Sequence, residues 1–104
     1  MSKYVYVYKG GAGMAESEEE RNAVMAAWGA WIGELGPALV DVGNPFGESA
    51  AVKADGSNGA ATTGLTGYSI LEAPSLDDAV AKARGCPVFR NGGSVDVYET
   101  FDVM

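Results

Sequence analysis

Lys3-Tyr4-Val5-Tyr6-Val7-Tyr8 alternates aromatic and β-branched residues over six positions. A period of two is the pattern of a β-strand, with Tyr4, Tyr6 and Tyr8 on one face and Val5 and Val7 on the other. Neither face is polar, so the strand needs cover on both sides. Gly10, Gly11 and Gly13 then break it.

The rest of the chain supplies three more strands and two helices. Ser17 with Glu20 is a capping-box pair, and Val24, Trp28, Trp31, Ile32 and Leu35 follow at helical spacing. Gly36-Pro37 ends this helix, placed at 17–35. Residues 38–42 read as a short strand or extended approach, and Gly43-Asn44-Pro45 as a turn. Residues 46–54 alternate weakly and are taken as the second strand, 55–64 as a loop and 65–73 as the third strand. Ser75 caps a second helix whose apolar face is Leu76, Ala79, Val80 and Ala83, ended by Gly85. Residues 94–103 form the last strand. The order β-α-β-β-α-β predicts one α+β domain over residues 1–104. Its ferredoxin-like form has a four-stranded antiparallel sheet with both helices on one face.

That arrangement leaves one sheet face uncovered. With Val5, Val7, Val95 and Val97 beneath the helices, the bare face carries Tyr4, Tyr6, Tyr8, Tyr68 and Tyr98. An aromatic patch of that extent is unusual on a monomer. The expectation is therefore a homodimer whose sheets enclose a tyrosine-lined cavity, with Trp31 of the first helix nearby.

Charge and composition narrow the chemistry. The chain has 104 residues, 7 Lys and Arg against 14 Asp and Glu, a net charge of −7, no histidine and one cysteine. An acidic chain lacks the basic footprint of nucleic-acid or anionic-membrane binding. Without histidine there is no Ser-His or Cys-His nucleophile and no His metal ligand. A single cysteine forms no internal disulfide. No run approaches the ~20 apolar residues of a spanning helix, and the first residues lack a signal-peptide core. A cytoplasmic protein without metal or cofactor is expected.

Three motifs are set aside on physical grounds. Gly11-Ala12-Gly13 could open a phosphate loop, but Glu16 and Glu18–Glu20 occupy the place of the phosphates. Asp55-Gly56-Ser57-Asn58-Gly59 suggests a calcium loop, yet Ala60 and Thr66 stand where glycine and a bidentate glutamate are required. Cys86 follows a helix C-terminus, which raises rather than lowers a thiol pKa, and reads as a buried packing residue. Carboxylates on strands remain. Asp96 and Glu72 are the candidate bases, Asp96 because it shares a strand face with Tyr98.

Two stretches resemble a known family. Ala27-Trp28-Gly29-Ala30-Trp31-Ile32-Gly33 resembles the Trp-bearing helix of YCII-related proteins, also called the DGPF group. The second stretch begins with Gly67-Tyr68-Ser69-Ile70-Leu71-Glu72-Ala73 and Ser75-Leu76-Asp77-Asp78-Ala79. It continues through Ala83-Arg84-Gly85-Cys86-Pro87-Val88 and closes with Gly92-Gly93-Ser94-Val95-Asp96-Val97-Tyr98. The resemblance implies a ferredoxin-like unit that dimerises into an α/β barrel with a central cleft. The histidine–aspartate pair that some relatives carry has no counterpart here. A small organic ligand bound by Tyr4, Tyr6, Tyr8, Trp31, Tyr68 and Tyr98 is the leading functional expectation. The alternatives are a cofactor-free isomerase, lyase or monooxygenase-like enzyme in the same cavity, and a regulatory interaction module.

Overall fold

Two serines start the two helices. The Ser17 hydroxyl accepts the Glu20 N–H at 3.1 Å, and the Ser75 hydroxyl accepts the Asp78 N–H at 3.2 Å. Each supplies a partner for a donor that the first helical turn cannot pair internally. The computed structural model describes residues 2–10, 17–61 and 64–102, so the Gly11-Ala12-Gly13 stretch and Glu16 lie outside the described residues. In chain order the elements are β1 (Ser2–Lys9), α1 (Glu18–Leu35), β2 (Leu39–Asp41), β3 (Ala51–Val52), β4 (Asn58–Gly59), β5 (Leu65–Ala73), α2 (Leu76–Ala83) and β6 (Ser94–Glu99). Neither helix is long and apolar enough to cross a membrane, among the described residues.

The main sheet runs β2-β5-β1-β6 and is antiparallel throughout. With two helices it forms the ferredoxin-like α+β arrangement. Its second strand is β2, with Leu39 opposite Leu71. Residues 46–54 do not join it. Only Ala51 and Val52 of that stretch are strand, paired with Gly59 and Asn58 in a separate hairpin. The alternating residues of 46–54 are mostly small and exposed, so they carry too little apolar area to hold a place in the sheet. The hairpin turn is closed by the Lys53 N–H donating to the Ser57 carbonyl at 2.8 Å. Asp55 Oδ1 accepts both the N–H and the hydroxyl of Ser57, at 2.9 and 2.6 Å. Those bonds hold the Asp55 carboxyl below its usual pKa.

The two faces of β1 are exchanged relative to the expectation. Tyr4, Tyr6 and Tyr8 are buried under the helices, while Val5 and Val7 lie on the other side, half-buried. Val95 and Val97 do face the helices, opposite Tyr8 and Tyr6. Tyr68 and Tyr98 sit on the bare face, across from Val7 and Val5. Volume explains the exchange. The elements meeting β1 from the helix side offer small residues, Ala79 and Ala83 on α2 and Ala73 and Gly67 on β5, and large rings fill the space they leave. The rings also find partners for their hydroxyls. Tyr6 donates to the Ala79 carbonyl, Tyr4 to Glu99 Oε2 at 2.9 Å and Tyr8 to Ser69 Oγ at 2.7 Å. A buried phenol needs such a partner.

Candidate functional site

α1 is eighteen residues long, yet buries only Trp31 and Leu35. α2 lies flat on the sheet through Ala79 and Ala83. α1 is instead anchored at its C-terminal half by Trp31. The indole stacks on Tyr6 with ring centroids 6.0 Å apart, and its N–H donates to the Lys82 carbonyl at 3.1 Å. A helix held at one end leaves space beside the sheet, and here that space is a cleft of about 650 Å³. Its helix wall is Met25, Trp28, Gly29, Trp31 and Ile32, and its floor is Tyr8 with Thr66–Ser69 of β5. Val42–Pro45 closes the rim. The volume is that of an ordinary small-molecule site.

Three rings meet at right angles along this cleft. Tyr8 and Trp28 are edge-to-face at 5.3 Å, and Trp28 and Trp31 edge-to-face at 5.6 Å. Edge-to-face contacts favour the quadrupoles of the rings and hold them in place. Polar groups are few and concentrated on the floor. The Tyr8 hydroxyl bonds Ser69 Oγ at 2.7 Å, and Ser69 Oγ bonds the Val42 carbonyl at 2.6 Å. Burial pushes the Tyr8 pKa up to about 12. Tyr8 is therefore a neutral phenol at physiological pH and not a ready base.

The residues singled out from sequence fall in four places. Tyr8 and Trp31 line the cleft, and Tyr68 borders it although its ring is on the bare face with Val7. Tyr4 and Tyr6 are enclosed core residues, and burial raises the pKa of both. Asp96 and Tyr98, on the bare face of edge strand β6, border around that edge a second cleft of about 510 Å³ between β6 and α2, together with Arg84 and exposed Leu76 and Phe89. There Asp96 Oδ2 is 2.9 Å from Lys9 Nζ, and that pairing raises the lysine pKa. Glu72 lies on the bare sheet face opposite Lys3. The structure therefore does not gather the tyrosines and the two carboxylates into one cavity. Cys86 is buried, and burial pushes its thiol up to about 11.

Trp28, Ser69 and Val42 are cleft residues that sequence reasoning did not select. Trp28 carried a signal, being three residues before Trp31 on the same helix face. Ser69 carried one too, as a hydroxyl between Tyr68 and Ile70 on a strand otherwise rich in bulky residues. The role of Val42 is played by its backbone carbonyl, which no residue type reveals.

Among curated proteins none matches the chain in sequence. A solved structure of similar fold is the 5-chloro-2-hydroxyhydroquinone dehydrochlorinase of Burkholderia phenoliruptrix in complex with 2,5-dihydroxybenzoquinone. The two share 19% identity and align with a TM-score of 0.57 over 96% of this chain and 93% of that one. A family model, that of the YCII-related domain, matches residues 3–103. With nearly its whole length matched, and the sheet order and helix placement of a ferredoxin-like unit, the chain belongs to the YCII-related family.

Proposed function

We propose that this protein binds a small, planar, largely apolar aromatic molecule in the cleft between α1 and the sheet. One observation carries the reading. About 650 Å³ of space is walled by Tyr8, Trp28 and Trp31, with apolar Met25 and Ile32 beside them. Flat aromatic surfaces favour a flat ligand, and a few polar groups on the floor fix its orientation. The similarly folded dehydrochlorinase is in complex with a ring compound, 2,5-dihydroxybenzoquinone, which supports the same class of molecule. The residues we assign to the site are Tyr8, Trp28, Trp31 and Ser69. Tyr4 and Tyr6 support it from the core.

A cofactor-free enzyme with Asp96 as base is the second reading. It would use the cleft between β6 and α2, where Asp96 and Tyr98 stand together. Glu72 would serve only if a partner enclosed the bare face. We further propose that the protein works as a homodimer paired through that face.

Trp28 and Trp31 are the only tryptophans, and both line the cleft. Their fluorescence therefore reports its occupancy. Titration with one- and two-ring hydroxyaromatics such as hydroquinone and 2-naphthol is expected to quench it saturably. Gly29 also lines the cleft, and a Cβ there would meet nothing within 4 Å. Gly29→Leu should fill the space, spare the fold and abolish saturation. Quenching that is linear in the wild type, or unchanged in G29L, would remove the cleft as the site.

A further inference from the structure

The hydroxyl protons on the floor of the cleft are assigned by their neighbours. The Val42 carbonyl can only accept. Ser69 Oγ, 2.6 Å away, therefore gives its single proton to that carbonyl. The Tyr8 hydroxyl lies 2.7 Å from the same Oγ, whose proton is already committed, so Tyr8 must be the donor of that bond. Thr66 is fixed in the same way. Its Oγ1 lies 3.2 and 3.1 Å from the carbonyls of Tyr8 and Gly10, and both of these only accept. The Trp31 N–H is held by the Lys82 carbonyl. The Trp28 indole and the Asn44 amide belong to α1 and to the rim, and the Tyr68 ring is on the bare face of the sheet with Val7, so none of the three is on this floor.

The hydroxyls of the floor thus present lone pairs and no proton to whatever lies on it. Among the described residues no lysine or arginine lines the cleft, and the chain has no histidine. A phenolate or carboxylate placed there would lose its hydration and face oxygen lone pairs without a counter-charge. A neutral O–H or N–H would meet a fixed acceptor instead.

We infer that the cleft selects the neutral, protonated form of a ring hydroxyl or ring N–H, with the Tyr8 oxygen as acceptor and the Tyr8–Ser69–Val42 chain setting its direction. This rests on the reading that the cleft holds an aromatic ligand. It adds the protonation state and the donor that the ligand must carry.

4-Nitrophenol ionises near neutral pH, and 4-nitroanisole is its matched ring without a proton. Equilibrium dialysis of both against the wild-type protein between pH 5 and 9 tests the assignment. 4-Nitrophenol at pH 5 should bind about 5–10-fold more tightly than 4-nitroanisole, the worth of one buried hydrogen bond. Its affinity should fall at least tenfold as it ionises, while that of 4-nitroanisole stays level. Tyr8→Phe should remove the difference between the two at pH 5. Ser69→Ala leaves the Tyr8 proton free to turn to the ligand, and should recover part of the binding of the 4-nitrophenolate. Equal binding of the two probes at pH 5, or undiminished binding of the phenolate, overturns the inference and leaves the aromatic site standing. Failure of both probes to bind at any pH overturns the two together.

Discussion

Gly43 shows how a single residue sets the rim of the cleft. Its φ is +77°, and a Cβ built there would lie 1.7 Å from the Tyr68 carbonyl oxygen. Its N–H donates to Asp41 Oδ1 at 2.9 Å, an Asx turn that aims the chain across β5. Two faults therefore add on substitution, a left-handed backbone that side chains resist and a collision with backbone that cannot yield. Gly43→Ala is expected to destabilise the protein by about 3 kcal/mol or more in urea unfolding. Gly92 makes the control. It is left-handed, with φ +76° and ψ 14°, and nothing lies within 4 Å of its Cβ, so Gly92→Ala should cost only about 1 kcal/mol. Equal losses in the two variants would mean that the close approach to Tyr68 is not what holds the rim. Gly43 was legible as a turn, since Gly43-Asn44-Pro45 is turn chemistry. The collision was not, because it involves a strand 25 positions away in sequence that only the fold brings near.

β1 is where sequence patterning succeeded and then stopped. Period two identified the strand, and capping serines and helical spacing placed α1 and α2 within a residue or so of their ends. Patterning could not choose between a face of tyrosines and a face of valines, because both are apolar. What decided it were the small residues on α2 and β5, a complementarity of volume between distant segments. Residues 46–54 misled for a related reason, since alternation of alanines carries little burial. The buried tyrosines have an energetic consequence. Burial raises the pKa of Tyr4, Tyr6 and Tyr8, Tyr8 to about 12, and that of Cys86 to about 11. The folded state therefore prefers the neutral forms, while unfolded tyrosine ionises near ~10. The tyrosine share of the resulting stability is complete below about pH 10 and the Cys86 share below about pH 8.5, where the unfolded thiol begins to ionise, and both are lost as pH climbs through the raised values. Tyr8 alone accounts for on the order of 2–3 kcal/mol, the free energy that corresponds to a rise from ~10 to about 12. The urea midpoint should stay level from pH 7 to about 8, ease down as the unfolded thiol ionises near pH 8.5, and fall steeply between pH 10 and 12. Tyr8→Phe should fall less steeply from a lower starting point. A midpoint indifferent to pH up to 12 would show that these phenols ionise as freely in the folded protein as outside it.

The molecule as a whole is a slab, with principal extents of 46 × 38 × 18 Å. One sheet and one layer of helices account for the shortest dimension. A folded monomer of 10.7 kDa exposes about 5500 Å² and a chain of this length has a radius of gyration near ~13 Å. This chain exposes 7200 Å² with a radius of 15.3 Å. Surface is thus in excess, and part of it lies on the bare sheet face, where Val5 sits between Ile70 and Tyr98 and Val7 beside Tyr68. Lys3, Glu72, Lys9 and Asp96 stand around these apolar residues, with Lys9 and Asp96 paired. An apolar centre with charged surroundings is the anatomy of an interface. The proposed sheet-to-sheet homodimer would have other residues at its centre, valines and an isoleucine where tyrosines were expected. Light scattering coupled to gel filtration at micromolar concentration should give twice the chain mass. Val5→Glu should give a single chain mass while the tryptophan fluorescence response to hydroxyaromatics persists, because the cleft lies on the opposite side of the sheet. A wild-type protein that runs as one chain would refute the pairing. A V5E protein that dissociates and also loses the response would show that the cleft is completed by the partner.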